Sequence, residues 1–114
     1  FIGKLPAYMI DAFKSTLEEL LYTNAVIVVA DAGDPLFEFE RKLRSCVRTL
    51  GDLGVDRGKI IFVLNKMDLA SDDQLDEEME ILESQGFDKI MAISAKTGMN
   101  IEKLKQLIKR TLNN

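Results

Sequence analysis

Residues 60–64 read Ile-Ile-Phe-Val-Leu and run directly into Asn-Lys-Met-Asp at residues 65–68. The first five are all apolar and rich in β-branched side chains, which is typical of a strand buried on both faces of a parallel sheet. Two further runs have the same character, Ala-Val-Ile-Val-Val-Ala at residues 25–30 and Ile-Met-Ala-Ile at residues 90–93. The sequence therefore predicts three buried strands, the middle one ending in a polar loop.

Apolar residues recur at helical spacing in the segments around these strands. Leu36 to Leu53 forms one such segment, and Tyr8 to Leu21 forms another ahead of the first strand. Two later helices are predicted from the inward residues Leu75, Met79 and Leu82, and from Ile101, Leu104, Leu107, Ile108 and Leu112. A helix followed by three strand–helix units predicts an α/β fold, a three-layer sandwich built on a parallel sheet with right-handed crossovers.

Local signals mark where these helices begin and end. Asp34-Pro35 offers an N-cap and a proline at the first helical position. Ser71 and Gln74 have the spacing of a capping box. Gly86 is expected to end the helix before it, and Asn100 is expected to cap the last helix.

Composition and charge exclude several classes of protein. The chain has 114 residues, enough for one small domain with a core. Its net charge is −4, and acidic and basic residues are mixed along the chain. Such a balance argues against a nucleic-acid surface, including direct DNA binding. There is no histidine, so His-based metal sites and triads are excluded, and we expect no metal site. The single Cys46 fits a reducing, cytoplasmic location, and no stretch has the length of a membrane span.

Polar residues gather where the predicted strands end, at residues 31–34, 65–68 and 94–97. Ligand sites of parallel sheets lie beyond the carboxyl ends of the strands. Asp68 is placed to accept both the N1–H and the N2 amine of guanine, a donor pair that adenine lacks, so adenine would leave a desolvated carboxylate unpaired. Lys66 can lay its stem along the base face, and the amide of Asn65 can tie two loops together.

The run Ser94-Ala95-Lys96 completes the candidate site. A backbone N–H near these residues can meet guanine O6, and the small side chain of Ala95 permits that approach. The candidate guanine-binding residues are therefore Asn65, Lys66, Asp68, Ser94, Ala95 and Lys96. By itself the Ser-Ala-Lys run is also compatible with an ordinary strand-to-loop turn.

These two motifs resemble the fourth and fifth motifs of P-loop GTPases of the translation-factor class. The segment Phe1-Ile2-Gly3-Lys4-Leu5-Pro6, with residues 12–19 after it, resembles the switch II segment of the HflX family of ribosome-associated GTPases. The resemblance covers essentially the whole chain. It implies the last three strands of a G domain from switch II onward, with GTP and GDP as ligands and the large ribosomal subunit as partner.

The same resemblance implies a partial domain over residues 1–114. No G-x-x-x-x-G-K-[ST] sequence occurs in the chain, and the P-loop, switch I and the Asp-x-x-Gly motif would belong to a missing N-terminal half. Mg²⁺ is then expected only in the intact parent. Phe1 stands where Ras-like GTPases have the glutamine that orients the attacking water. We therefore expect no catalytic residue in this chain and slow hydrolysis by the parent, accelerated by its partner.

Two other hypotheses remain open at this stage. The chain alone is compatible with a non-catalytic nucleotide-binding or interaction module. A receiver-like phosphoacceptor domain has a similar length, but it needs an acidic pair after its first strand and leaves Asn-Lys-x-Asp unexplained.

In a partial G domain, residues 25–30 would also form an unprotected apolar edge strand, which predicts self-association unless the missing half is supplied.

Overall fold

The computed structural model describes residues 24–113. The predicted helix Tyr8–Leu21 and the Phe1 segment lie outside these residues. In the described part the strands are β1 Val26–Asp31, β2 Ile60–Asn65 and β3 Ile90–Ala92, and the helices are α1 Leu36–Leu53, α2 Asp72–Ser84 and α3 Ile101–Leu112. Short 3₁₀ turns lie at Arg57–Lys59 and Met67–Leu69.

The three strands form a parallel sheet in the order β1-β2-β3. Asp31 pairs in register with Asn65, and Leu64 pairs with Ala92, so the strands end at a common edge. The predicted α/β class is therefore confirmed. The short strand β3 ends before Ile93, one residue earlier than the sequence predicts.

Helices cover the sheet on both faces. On one face α1 and α2 pack against Phe62 and Leu64, and on the other face α3 packs against Ile61 and Val63. All five apolar residues of β2 are at most 2% exposed, as expected for a central strand buried on both sides. Burying one such side chain stabilises a fold by roughly 1.5–3 kcal/mol, so this strand holds the layers together.

Strand β1 is the outer strand of the described sheet, because within residues 24–113 it pairs only with β2. Two of its apolar side chains, Ile27 and Val29, are 46% and 52% exposed. Alternate residues of a strand point to the same face of the sheet, so both side chains lie on one face of β1. This outer strand therefore exposes apolar side chains among the described residues, and self-association through it stays a prediction.

Two of the expected helix caps differ from the structure. Pro35 and not Asp34 is the N-cap of α1, and it makes no side-chain capping bond. Asp34 lies one residue further out, where its carboxylate pairs with Lys42 at 2.6 Å. Asn100 is the N-cap residue of α3, as predicted, but it has a left-handed φ of 64° and its side chain makes no capping bond. Its amide donates instead to the carbonyl of Ala92 at 2.9 Å, because that buried carbonyl ends strand β3.

The start of α2 follows the prediction only in part. The hydroxyl of Ser71 accepts the backbone N–H of Gln74 at 3.1 Å, which is half of a capping box. The Gln74 side chain does not return to Ser71 but reaches across to the loop after β1. At the other end, Gly86 has φ 92° and its N–H bonds to the carbonyl of Glu83, which confirms the predicted helix-ending glycine.

Candidate nucleotide-binding site

Backbone hydrogen bonds bring the three strand-end loops together. The N–H of Ala32 donates to the carbonyl of Asn65 at 2.8 Å, which extends the β1–β2 ladder past the last strand residue. The N–H of Met67 donates to the carbonyl of Ile93 at 3.0 Å on the other side. The segment 65–68 thus lies between the loops that follow β1 and β3, with backbone bonds to both.

Asn65 adds a side-chain tie between two of these loops. Its Oδ1 accepts the backbone N–H of Ala95 at 3.0 Å. This confirms the expectation that Asn65 joins one loop to another. The bond fixes the Asn-Lys-Met-Asp and Ser-Ala-Lys segments relative to each other, so residues 30 positions apart in sequence form one surface.

Lys66 stands in a strained position with a defined partner. Its φ of 65° lies in the left-handed region that non-glycine residues seldom adopt, which is often a mark of functional loops. Its ammonium pairs with the Asp31 carboxylate at 3.1 Å, and both side chains are about half exposed. The parallel register places Asp31 beside the half-exposed ammonium. An exposed pair of this kind adds little stability but orients both groups.

Asp68 is exposed and lies in the 3₁₀ turn Met67–Leu69. Within the described part of the chain, its carboxylate has no hydrogen-bond donor or ion-pair partner. The turn is anchored by the bond from the N–H of Leu69 to the carbonyl of Lys66 at 2.9 Å. Asp68 is thus held on a fixed backbone with both carboxylate oxygens available to donors from outside.

Ser94 differs from the other candidate residues because it is fully buried. Its hydroxyl accepts the N–H of Thr97 at 3.2 Å, and its carbonyl accepts the N–H of Gly98 at 2.8 Å. Ser94 therefore shapes the loop from within, while Ala95 and Lys96 are exposed on it. The Ala95 N–H is occupied by Asn65, whereas the Lys96 N–H finds no acceptor among residues 24–113.

Gln74 is the residue at this edge whose role the sequence reasoning missed. Its Nε2 donates to the carbonyls of Ala32 and Asp34 at 2.7 and 2.8 Å. The same Nε2 lies 3.0 Å from Oε2 of Glu78, one turn along α2. A signal was present in the sequence, because Glu78 falls on the inward stripe with Leu75 at helical spacing, where a carboxylate is out of place.

The carboxyl of Glu78 is fully buried, and its Oε1 has no hydrogen-bond partner within the described residues. Burial raises the pKa of Glu78 above its ordinary value; the hydrogen bond from Gln74 opposes this, and the nearby Asp34 charge adds to it. The neutral form is favoured because an unpaired buried carboxylate is costly.

Two other kinds of feature are absent from the part of the chain that the structure describes. No group of three or more potential metal ligands lies together there. No helix among residues 24–113 combines the length and apolarity that a membrane span requires.

Two curated relatives named GTPase HflX match nearly the whole chain. The relative from Thermofilum pendens is 36% identical over 108 residues, which cover 95% of this chain and 25% of the relative. The relative from Lacrimispora saccharolytica is 36% identical over 114 residues, which cover 100% of this chain and 25% of the relative. The chain thus spans about a quarter of the length of the curated relatives that it matches.

A solved structure of a GTP-binding protein and a family model also match this chain. The crystal structure of a GTP-binding protein from the hyperthermophilic archaeon Sulfolobus solfataricus in complex with GDP aligns with a TM-score of 0.80 and 30% identity. The alignment covers 96% of this chain and 37% of that one. A family model described as PduV-EutP, ethanolamine utilisation – propanediol utilisation, matches residues 7–110.

The parallel sheet, together with these likenesses, defines a fragment of the G domain of a P-loop GTPase. The chain belongs to the PduV-EutP domain family, whose model it matches. By its relatives, it also belongs to the HflX family of GTPases.

Proposed function

We propose that this chain forms the guanine-reading part of an enzyme that hydrolyses GTP to GDP and phosphate. In this proposal Asp68 accepts the N1–H and N2 amine of the base, and the stem of Lys66 packs along its face. The backbone N–H of Lys96, which finds no acceptor among residues 24–113, meets O6. Asn65 holds the two loops at the spacing that one base requires, and Ser94 shapes the second loop from within.

One observation carries this proposal: the bond between Asn65 Oδ1 and the N–H of Ala95, 3.0 Å long. It joins two motifs that are separate in sequence into one surface, beside an exposed carboxylate at Asp68. An ordinary loop or helix-capping role for Asn65 and Asp68 gives no reason for that juxtaposition. The GDP complex of the Sulfolobus solfataricus protein supports guanine nucleotides as the ligand class.

The test is a change of base preference in the intact parent protein. Asp68→Asn replaces the double acceptor by a group with one acceptor and one donor, which suits xanthine better than guanine. We expect GTP affinity to fall at least tenfold and XTP to become the preferred nucleotide, measured by competition binding. The matched control is Asp88→Asn, an exposed aspartate just ahead of β3.

Two outcomes decide this test. A shift towards XTP in the Asp68 variant with unchanged preference in the Asp88 variant supports the proposal. An unchanged GTP preference in the Asp68 variant would show that another group reads the base.

The proposal also covers the parent protein. Residues 1–114 act as a partial G domain without its P-loop, switch I and Asp-x-x-Gly motif, so Mg²⁺ and the phosphates are held by the rest of the parent. The isolated chain is expected to show no GTP turnover, which a phosphate-release assay across a gel-filtration peak checks. Association with the large ribosomal subunit and a cytoplasmic location follow from the resemblance to the HflX family.

A further inference from the structure

A single side-chain amide ties the loop after β1 to helix α2. Nε2 of Gln74 donates to the carbonyl of Ala32 at 2.7 Å and to the carbonyl of Asp34 at 2.8 Å. Ala32 is fully buried, so its carbonyl has no access to water. Removing the amide would leave that acceptor unpaired, at the cost of an unsatisfied buried group.

The buried carboxyl of Glu78 supports the orientation of this amide. Its Oε2 lies 3.0 Å from the same Nε2 atom of Gln74. The NH₂ group has two hydrogens for the carbonyls of Ala32 and Asp34, so Glu78 can only share one of them. The two carbonyls require the NH₂ end to face the loop, and the Glu78 oxygen on the same side favours that rotation.

The loop has few other backbone restraints among the described residues. The N–H of Asp34 reaches the carbonyl of Asp31 at 3.4 Å, which is long for a hydrogen bond. Gly33, between them, is exposed. The loop is thus held by the backbone bond from Ala32 to Asn65 and, through a buried side chain, by the Gln74 amide. Asp31, the last residue of β1, directly precedes this loop and pairs with Lys66 at 3.1 Å.

We propose that Gln74 is a positioning residue for guanine binding, acting through Asp31 on Lys66, with Glu78 orienting the Gln74 amide. The inference rests on the proposed function, since it assigns Gln74 to the same site. Gln74 does not touch the base. It restrains the loop that directly follows Asp31, and Asp31 in turn pairs with the lysine that packs on the base.

The test is a double-mutant cycle on GDP affinity in the intact protein, with a fluorescent GDP analogue as the probe. Gln74→Met keeps the size of the side chain but removes both donors, and we expect GDP affinity to fall about fivefold. Asp31→Ala removes the partner of Lys66 itself and is expected to cost about tenfold. Because both changes act on Lys66, the double variant should lose about tenfold, well short of the roughly fiftyfold expected for independent effects.

Two further variants separate positioning from general stability. Ser71→Ala weakens the same helix by removing its N-cap bond but leaves the Gln74 side chain in place. It should lower the melting temperature with less than a twofold change in GDP affinity. Gln74→Asn keeps the amide and shortens its reach by one methylene, so it should lose less affinity than Gln74→Met, and it replaces that variant in the cycle if Gln74→Met does not fold.

Each outcome has one meaning. Non-additive losses for Gln74 and Asp31, with affinity retained in Ser71→Ala, support the inference. Additive losses, or an equal loss in Ser71→Ala, overturn it while the wild-type preference for GDP over ADP keeps the proposed function intact. A wild-type protein without that preference overturns the proposed function and this inference together.

Discussion

The segment 65–68 is tied on its two sides by different means. Towards β3, the Asn65 side chain accepts the N–H of Ala95, and both residues belong to the motifs themselves. Towards β1, the carbonyl of Asn65 accepts the N–H of Ala32, and the loop that contains Ala32 is held by Gln74, a residue of the following helix that reaches the carbonyls of Ala32 and Asp34. The first tie could therefore be predicted from the sequence motifs. The second joins residues 42 and 40 positions apart through a buried amide.

The difference teaches how a binding loop is restrained. A motif residue restrains its own loop and also takes part in ligand binding. Reasoning from the chemistry of the ligand therefore identifies it. A residue such as Gln74 serves only the scaffold, and its identity is set by which buried carbonyls the fold leaves unpaired. Breaking each tie separately measures what each contributes.

The largest effect is expected from Asn65→Ala, which removes the tie towards β3. The Ala95 N–H loses its acceptor and the two motifs lose their fixed spacing, so we expect GDP binding by the intact protein to weaken by about 2 kcal/mol, or roughly 30-fold. Isothermal titration calorimetry measures the change. Asn24→Ala, an exposed asparagine just before β1, is the control, and an equal loss in both variants would contradict a specific role for the tie.

A smaller effect, on stability, is expected from Glu78→Gln on the other side. Because burial raises the pKa of Glu78, the folded state binds its proton more tightly than the unfolded state, whose ordinary value is 4.5. The stability that this group contributes is therefore fully present below about pH 4.5 and is lost as pH rises through the folded pKa. Glutamine is neutral throughout, so the variant should gain about 1 kcal/mol over the wild type at pH 8.

Urea unfolding of the chain at several pH values checks this expectation. The groups near the Glu78 carboxyl are Gln74 on its own helix and Asp34 from the loop after β1, and Asp34 is itself paired with Lys42. The difference between variant and wild type should grow from pH 4 to pH 8. A difference that does not vary with pH would mean that Glu78 stays in one protonation state over this range.

The smallest effect is expected from Lys42→Met, which breaks the ion pair with Asp34 but keeps the aliphatic stem. Both side chains are about a quarter exposed, so solvent screening limits the loss of stability to about 0.5 kcal/mol. Added salt should reduce the difference further. Should this variant weaken GDP binding as strongly as Gln74→Met, the charge pair and not the amide would be the restraint on the loop after β1.

Much of the fold was predictable because it depends on periodicity. The run 60–64 is apolar at every position, and the structure buries all of it in the central strand; the helix predicted from Leu36 to Leu53 has those bounds in the structure. The helix caps were less predictable. Asp34 and Asn100 have the side chains of caps, but an ion pair and a buried carbonyl in the tertiary structure engage them instead.

The sequence by itself determined the order of strands and helices, the parallel sheet and the motifs at its carboxyl edge, because these depend on hydrophobic period and on residues a few positions apart. Only the tertiary structure decided what restrains the candidate site. The pairing of Lys66 with Asp31, and of Gln74 with the carbonyls of Ala32 and Asp34, depends on strand register and helix placement. Hydrogen bonds act over about 3 Å, so these partners are defined only once the chain has folded.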